Sequence, residues 1–449
     1  MSNNSITERL PEGFVYETDL PLKVSLLRWK LGNKAKQEPN FKFYALYDRI
    51  YREDVLNTAY EKVRENDGCP GSDGVSFDDI EIDPEGIKGF ILKIQKSLKE
   101  YTYVPKLVDR VYILKDNGKM RPLGIPCIVD RVVQQAVLFV IEPIFEQDFH
   151  DCSFGFRPRK SAHGALKEIK DHLHAGREEV YDADLSSYFD TINHEILMQS
   201  VEKRIADRSV LHLIRMWLKC NIIERDKNGK TKKITKPKEG TPQGGVISTL
   251  LANIFLNNFD KAFHTEMDSP FYFAKAKLIR YADDFVIMAR FITSRMTGWI
   301  EDRIESALNL TINREKTTIV NLNGESQKLN FLGYTFRKDK DLKGGSYRYL
   351  NMFPAKKAVD KFKENLKLEI NKGNRDPFPV LIKKINRKTR GWKEYFKLGY
   401  PRKTFREINY FMQGQLKKHL ENRSQRKCKI RRDGETFYSA FKRAGLVYL

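Results

Sequence analysis

Adjacent carboxylates at Asp283 and Asp284 end the tetrapeptide Tyr281-Ala282-Asp283-Asp284, which lies between the apolar runs Leu278-Ile279 and Phe285-Val286-Ile287-Met288 with no Gly or Pro inside. That pattern reads as a strand, a tight turn and a second strand, with both acids at the tip. The flanks are apolar on both pleat faces, so the hairpin is expected inside a sheet and away from its rim. Two like charges beside a core are costly until a cation or a buried base neutralises them, and a divalent metal ion is the simplest such cation. An Asp-Asp pair at a turn is by itself usually just solvated, but a second acidic run shifts the balance. Glu179 through Leu185 alternates, so that Asp182 and Asp184 share one strand face while Tyr181, Ala183 and Leu185 share the other. Hard cations such as Mg²⁺ take oxygen ligands, and two ions roughly 3.5 to 4 Å apart can clamp the attacking and leaving oxygens of a phosphoryl transfer. Asp184, Asp283 and Asp284 could hold such a pair, with the backbone carbonyl of Leu185 as a further oxygen.

With these residues in view the chain resembles the reverse transcriptases, most closely the reverse transcriptase/maturase proteins of group II introns, whose usual active-site tetrapeptide is Tyr-Ala-Asp-Asp. Gly71-Ser72-Asp73-Gly74-Val75, Arg121 through Pro126, Ser153-Phe154-Gly155-Phe156-Arg157-Pro158, Asp184 through Asp190, Thr241-Pro242-Gln243-Gly244-Gly245, Phe331-Leu332-Gly333 and Gly391 through Phe396 follow in that family's order. The resemblance implies that Asp184, Asp283 and Asp284 are catalytic metal ligands, that Lys115 and Arg121 grip the incoming triphosphate, and that Gln243 lies beside nucleotide and template. It also implies that Phe189 sits under the sugar and excludes a 2′-hydroxyl, with Tyr188 the next suspect. Lys316 would protonate departing pyrophosphate, and Phe331-Leu332-Gly333 would support the primer end. Read without the family, Lys115, Arg121 and Lys316 are solvated surface cations and Phe189 is a packing residue.

The chain has 449 residues, 41% of them apolar and 12% aromatic, with 81 basic against 59 acidic side chains and a net charge of +22. A folded protein with so positive a field favours a polyanionic partner, nucleic acid before a membrane surface. Cys69, Cys127, Cys152, Cys220 and Cys428 are scattered without Cys-x-x-Cys spacing, which points to a reducing compartment and no zinc site. His150, His163, His172, His174 and His194 read as surface or structural. The start MSNNSITERL lacks the apolar core of a signal peptide, and no run approaches the roughly 18 apolar residues of a spanning helix. A soluble, cytoplasmic protein is expected.

These residues must be held by a framework that the patterning outlines. Residues 21–66 read as helices interleaved with Arg28, Lys30, Lys34, Lys36 and Lys42, a face that permits RNA contact. A helix over 84–99 leads to a hairpin with arms 110–115 and 119–125, turning at Asn117-Gly118. Asp130 reads as the N-cap of an apolar helix that Pro143 should kink. A second, lysine-rich hairpin over 221–240 turns at Asn228-Gly229, and helices follow after Gly245 and near 295–308. From Pro354 three amphipathic helices suggest a thumb, and Arg423, Arg426, Lys427, Lys429, Arg431 and Arg432 form a basic end.

The expected fold is α+β, a right-hand polymerase with fingers, a palm of mixed or antiparallel sheet with helices, and a helical thumb. Its parts are an N-terminal helical extension over 1–66, fingers and palm over 67–345, a thumb over 346–412 and a basic tail over 413–449, with no room for the C-terminal endonuclease domain some relatives carry. The expected reaction is RNA-directed DNA synthesis using Mg²⁺, with Mn²⁺ admitted by the same ligands, on an RNA template with a DNA primer and dNTPs. A structured intron RNA is the further expected partner, and no membrane is. Two rival readings are a domesticated relative serving DNA repair or phage defence, and an RNA-binding splicing cofactor whose polymerase body is secondary.

Overall fold

The computed structural model describes residues 10–449 except 115–117, 119, 227–230, 325, 341–347, 372, 424–429 and 433. Lys115, Asn117, Asn228, Gly229, Arg426, Lys427 and Lys429 therefore lie outside the described residues. The strands are β1 Val108–Leu114, β2 Met120–Ile125, β3 Glu179–Ala183, β4 Ile222–Arg225, β5 Thr231–Thr235, β6 Lys277–Tyr281, β7 Asp284–Ala289, β8 Thr318–Asn321, β9 Leu329–Phe331, β10 Tyr334–Lys340 and β11 Arg348–Pro354. They form three sheets ordered β2-β1-β4-β5, β6-β7-β3-β8 and β11-β10-β9. Among the described strands only β1 with β4 runs parallel, pairing Val108 with Ile222, and the strands of the central sheet pair antiparallel with one another. With helices on both sides of that sheet, the fold is the mixed α+β expected.

The pleat sorts the central strands between two cores. Tyr181, Ala183, Leu278, Phe285, Ile287 and Ala289 enter the larger core, whereas Val180, Ile279, Val286, Met288 and Val320 enter a second one. Burial on both faces is why these strands read as unbroken apolar runs. The interior position expected for the acidic hairpin holds for one arm only, since β7 is internal and β6 is the sheet's edge. That edge is covered: Arg280 N–H donates to the Cys152 carbonyl at 2.8 Å and Phe154 N–H to the Arg280 carbonyl at 2.8 Å. Covering the edge with chain removes a row of unpaired backbone groups that would otherwise invite another strand.

Helices Leu22–Gln37 and Glu53–Arg64 pack on the central helix Ile128–Phe145 and share the larger core with the palm. Arg28 does not join a basic outer face. It is 5% exposed and reaches Glu142 at 2.7 Å and the Phe139 carbonyl at 3.2 Å, because its position on the helix turns it inward. Asp130 is likewise not the cap. Cys127 holds that position, and Asp130, inside the first turn, accepts from the Tyr103 hydroxyl at 2.7 Å and the Lys106 N–H at 3.1 Å. The helix continues through Pro143 to Phe145. No helix among the described residues is long and apolar enough to cross a membrane.

Helices Lys356–Glu369, Phe378–Tyr395 and Arg402–Arg423 enclose a third core built from Phe362, Leu366, Leu381, Ile385, Ile408 and Met412. The boundary expected at 412 falls inside the third helix, and the chain then returns to it. Helix Phe437–Arg443 buries Phe441 completely in the thumb core. Asn386 donates to the Gly445 carbonyl at 2.7 Å and accepts from Val447 N–H at 2.8 Å, and Leu449 N–H donates to Asn409 at 3.0 Å. Residues beyond 436 thus complete the thumb's core. Phe441→Ala is expected to cost about 3–5 kcal/mol by the lost transfer energy and the cavity left behind. Denaturant unfolding of the variant checks this, and an unchanged midpoint would mean the end of the chain contributes nothing to the thumb.

Candidate active site

Tyr281 pairs with Asp284 across a two-residue turn made by Ala282 and Asp283. Ala282 has φ +57°, a left-handed conformation that short hairpins ordinarily give to Gly or Asn. What holds it there is the residue two positions before it. Arg280 is fully buried and donates through Nη1 to the Ala282 carbonyl at 2.9 Å and to Asn253 Oδ1 at 3.0 Å. Its Nε and Nη2 form a fork on Asp260, also fully buried, at 2.9 and 2.5 Å. Asn253 and Asp260 both lie on helix Ser248–Thr265, and the Asn253 amide donates on to the Gly155 carbonyl at 2.8 Å. Gly155 presses against the turn so closely that a Cβ would stand 2.3 Å from Ala282 N, which explains a glycine at this point of the Ser153–Pro158 motif. Arg157 of the same motif is a staple, reaching Glu146 at 2.7 Å and the Ser153 carbonyl at 2.8 Å.

The turn carries its acids to the end of β3. Asp182 pairs with Val286 in register, so Asp182 and Asp284 share a pleat face, and Asp184 continues that face one step on. Burial first, then the charges of Asp284 and Asp184, push Asp182 up to about 7. Asp284 is pushed up to about 6 by burial, then by Asp283 and Asp184. Its outer side remains open to solvent, so like-charge crowding is the part an ion must relieve. Burial also raises Asp283, with Arg121 pulling the other way. Lys316 Nζ neutralises Asp184 at 2.8 Å. Leu185 bridges Ile312, and the bonds Asn313 N–H to the Asp184 carbonyl and Ser186 N–H to the Thr311 carbonyl turn the Leu185 carbonyl to the opposite side, where β7 lies. Carboxylate oxygens under mutual repulsion, with a carbonyl beside them, are a donor set suited to hard divalent ions.

Other residues marked by the sequence gather at the same end. Arg121 Nε donates to Gln243 Oε1 at 2.7 Å, and Gly124 N–H donates to the Gln243 carbonyl at 2.6 Å. Gly244, at φ +115°, lies where a Cβ would come within 2.4 Å of the Gly124 carbonyl oxygen, so the Gln243 loop is locked to β2 by backbone contact. Phe189 is 8% exposed and stacks edge-on against Tyr188, whose hydroxyl donates to the Ala252 carbonyl at 2.6 Å. Tyr188 is thereby committed to packing. Phe331 and Tyr334 flank a turn in which Leu332 and Gly333 both have positive φ. The Tyr395 hydroxyl fastens it by donating to the Leu332 carbonyl at 2.9 Å. Asp182 is visible in the sequence as a neighbour of Asp184, whereas Arg280, Asp260 and Asn253 belong to none of the motifs the sequence marks. A signal existed: a charge inside an apolar strand, and two polar residues seven apart on the buried face of a helix.

Two family descriptions match the chain, "Reverse transcriptase (RNA-dependent DNA polymerase)" over residues 113–336 and "Group II intron, maturase-specific domain" over residues 359–435. Protein YkfC of Escherichia coli K12 is 32% identical over 369 residues, covering 75% of this chain and 93% of that protein. The group II intron-encoded protein LtrA of Lactococcus lactis is 30% identical over 465 residues, covering 85% of this chain and 74% of LtrA.

The raised carboxyl of Asp182 has a consequence for stability. A group that holds its proton more tightly folded than unfolded contributes stability that is complete below about pH 4 and is lost as pH climbs through about 7. In EDTA the protein is expected to lose thermal stability from about pH 5 to about pH 8, and Asp182→Asn to flatten that slope and gain roughly 1–2 kcal/mol at the alkaline end. Thermal melts of both proteins across the range check this. Parallel slopes would assign the titration to another group.

Proposed function

The chain belongs to the group II intron reverse transcriptase/maturase family, and on that premise we propose that it copies RNA into DNA with a primer terminus and a dNTP brought together over Asp184, Asp283 and Asp284. That it is an RNA-directed DNA polymerase using a divalent metal follows from the family. The reading of its site rests above all on two acids at a turn that a buried ion pair holds in a strained conformation, with a third acid, Asp184, beside them at the end of β3. Mg²⁺ ions bound by these carboxylates and the Leu185 carbonyl would acidify the primer 3′-hydroxyl and neutralise the charge that builds on pyrophosphate.

The chain's own residues do the positioning. Arg121 suits a bidentate phosphate contact and is pre-oriented by its bond to Gln243. Lys115 would join it on the triphosphate. Phe189 presents the little surface it exposes to the sugar, where a flat ring leaves no volume for a 2′-oxygen. Lys316 is held at Asp184, from which its ammonium can deliver a proton to the leaving pyrophosphate. The turn Phe331-Leu332-Gly333 supports the primer end. An RNA–DNA hybrid has A-like form and can be gripped through its backbone, and the net charge of +22 provides the attraction. The match of residues 359–435 to the maturase-specific domain supports a second ligand, structured intron RNA, bound by the thumb.

Asp283→Asn is expected to abolish primer extension on an RNA template while RNA affinity stays within a few-fold, since it removes a metal-ligand charge but little of the positive field. Extension and binding titration on one preparation check it, and normal extension by the variant would remove Asp283 from the catalytic set. Phe189→Ala is expected to let ribonucleotides compete with deoxynucleotides by about 1–3 kcal/mol of lost discrimination. Competition assays on the folded variant read this directly. An unchanged preference for dNTPs would make Phe189 a packing residue.

A further inference from the structure

Away from the aspartates, chain segments distant in sequence bring two imidazoles and a thiol together. Cys152 opens the strip that covers the β6 edge, His150 lies two residues before it, and His264 lies on helix Ser248–Thr265. The two rings stack with centroids 3.5 Å apart and planes 17° from parallel. One ligand atom from each of the three side chains lies within 4.8 Å of the other two. Cys152 is 8% exposed and both histidines are half-buried, so the cluster is enclosed yet open to an ion from one side.

We propose that His150, Cys152 and His264 form a second metal site, selective for a borderline-soft divalent ion of the Zn²⁺ class and distinct from the carboxylate centre. The donor chemistry carries the selectivity: a thiolate and imidazoles prefer Zn²⁺, whereas Mg²⁺ demands oxygen. The surroundings already orient the ligands. His264 Nδ1 donates to the Asp260 carbonyl at 2.8 Å, which fixes its proton there and leaves the Nε2 lone pair free. His150 Nδ1 accepts only a long contact, 3.2 Å, from the Cys152 N–H and can exchange it for an ion. The His150 carbonyl accepts from Arg157 Nη1 at 2.6 Å and the Cys152 carbonyl from Arg280 N–H, so the loop itself is anchored. Tetrahedral ligands at the usual bond lengths stand about 3.3–3.9 Å apart, and an ion lies in the plane of each imidazole that binds it, so closing the site takes rotation of at least one of the two stacked rings about its side-chain torsions until both lone pairs meet beside the Cys152 sulfur. Burial lowers both imidazole pKa values, keeping the rings neutral, and raises the thiol. Binding therefore exchanges the Cys152 proton, released to solvent, for a metal–sulfur bond, with water completing the coordination. The ion would tie the strip at the β6 edge to the helix that carries Asn253 and Asp260, the residues that hold the acidic turn.

The test uses Co²⁺ as the probe on the full-length protein. One equivalent is expected to give a thiolate-to-cobalt charge-transfer band and intense tetrahedral visible bands, displaced by Zn²⁺ and untouched by excess Mg²⁺. Asp283→Asn should keep the bands, which separates this site from the carboxylate centre. Cys152→Ser should abolish the charge-transfer band, and His264→Gln and His150→Gln, with folding checked by circular dichroism, should each weaken Co²⁺ binding at least tenfold. A folded wild-type protein with no thiolate band would overturn the proposal. So would a band that survives Cys152→Ser, or one that both histidine variants retain at full affinity.

Discussion

The Arg280–Asp260 ion pair is the constraint on which the arrangement of the site depends. Both side chains are fully buried, so each has lost its hydration, and the geometry must compensate: a two-pronged contact on Asp260, with the remaining guanidinium nitrogen shared between Asn253 and the Ala282 carbonyl. A hydrophobic pair of similar volume could fill the same space, often with no loss of stability. It could not hold a carbonyl in place. The pair transfers the rigidity of helix Ser248–Thr265 to a turn whose Ala282 sits in a left-handed conformation, and Gly155 closes over the other side. Backbone strain at a turn persists when surrounding contacts over-determine it, as they do here.

The charge pattern shows a second division of labour. Inside the palm, Asp182 and Asp284 are forced upward in pKa by burial and by their acidic neighbours. That crowding destabilises the protein at neutral pH, and it is the repulsion that a bound divalent cation would relieve. Outside, a surplus of 22 positive charges supplies an unspecific attraction for nucleic acid. Lys316 stands where the two regimes meet, an exposed ammonium paired with one of the acids.

The motif Gly391 through Phe396 works as packing between palm and thumb. Trp392 stacks on Phe362 at 4.9 Å and lies 4.4 Å from Phe396, while the Tyr395 carbonyl accepts from His163 Nε2 at 2.7 Å and from the Tyr334 hydroxyl. Because Ala355 N–H donates to the Gly333 carbonyl at 2.8 Å and the Phe396 ring lies against Gly333, any shift of the thumb must carry the Leu332-Gly333 turn with it. Packed, hydrogen-bonded interfaces of this kind move as units.

The sequence by itself determined the elements and their chemistry. Alternation named the faces of β3, continuous apolar runs announced a sheet buried on both sides, and ordered short motifs identified a polymerase with its acids at a hairpin tip. These signals are local: a period of two or 3.6 residues and a turn dipeptide act within a few positions. What the tertiary structure decided is everything that depends on distant partners. It put β6 at the edge of its sheet with residues 152–154 along it, turned Arg28 and Asp130 inward, and folded the C-terminal residues into the thumb. It also gave Arg280 its counter-ion on a helix and brought His264 to Cys152. Sequence spacing carries no information about such pairs, because a side chain's partner across the core is set by how whole elements pack, and that is fixed only when the entire chain has folded.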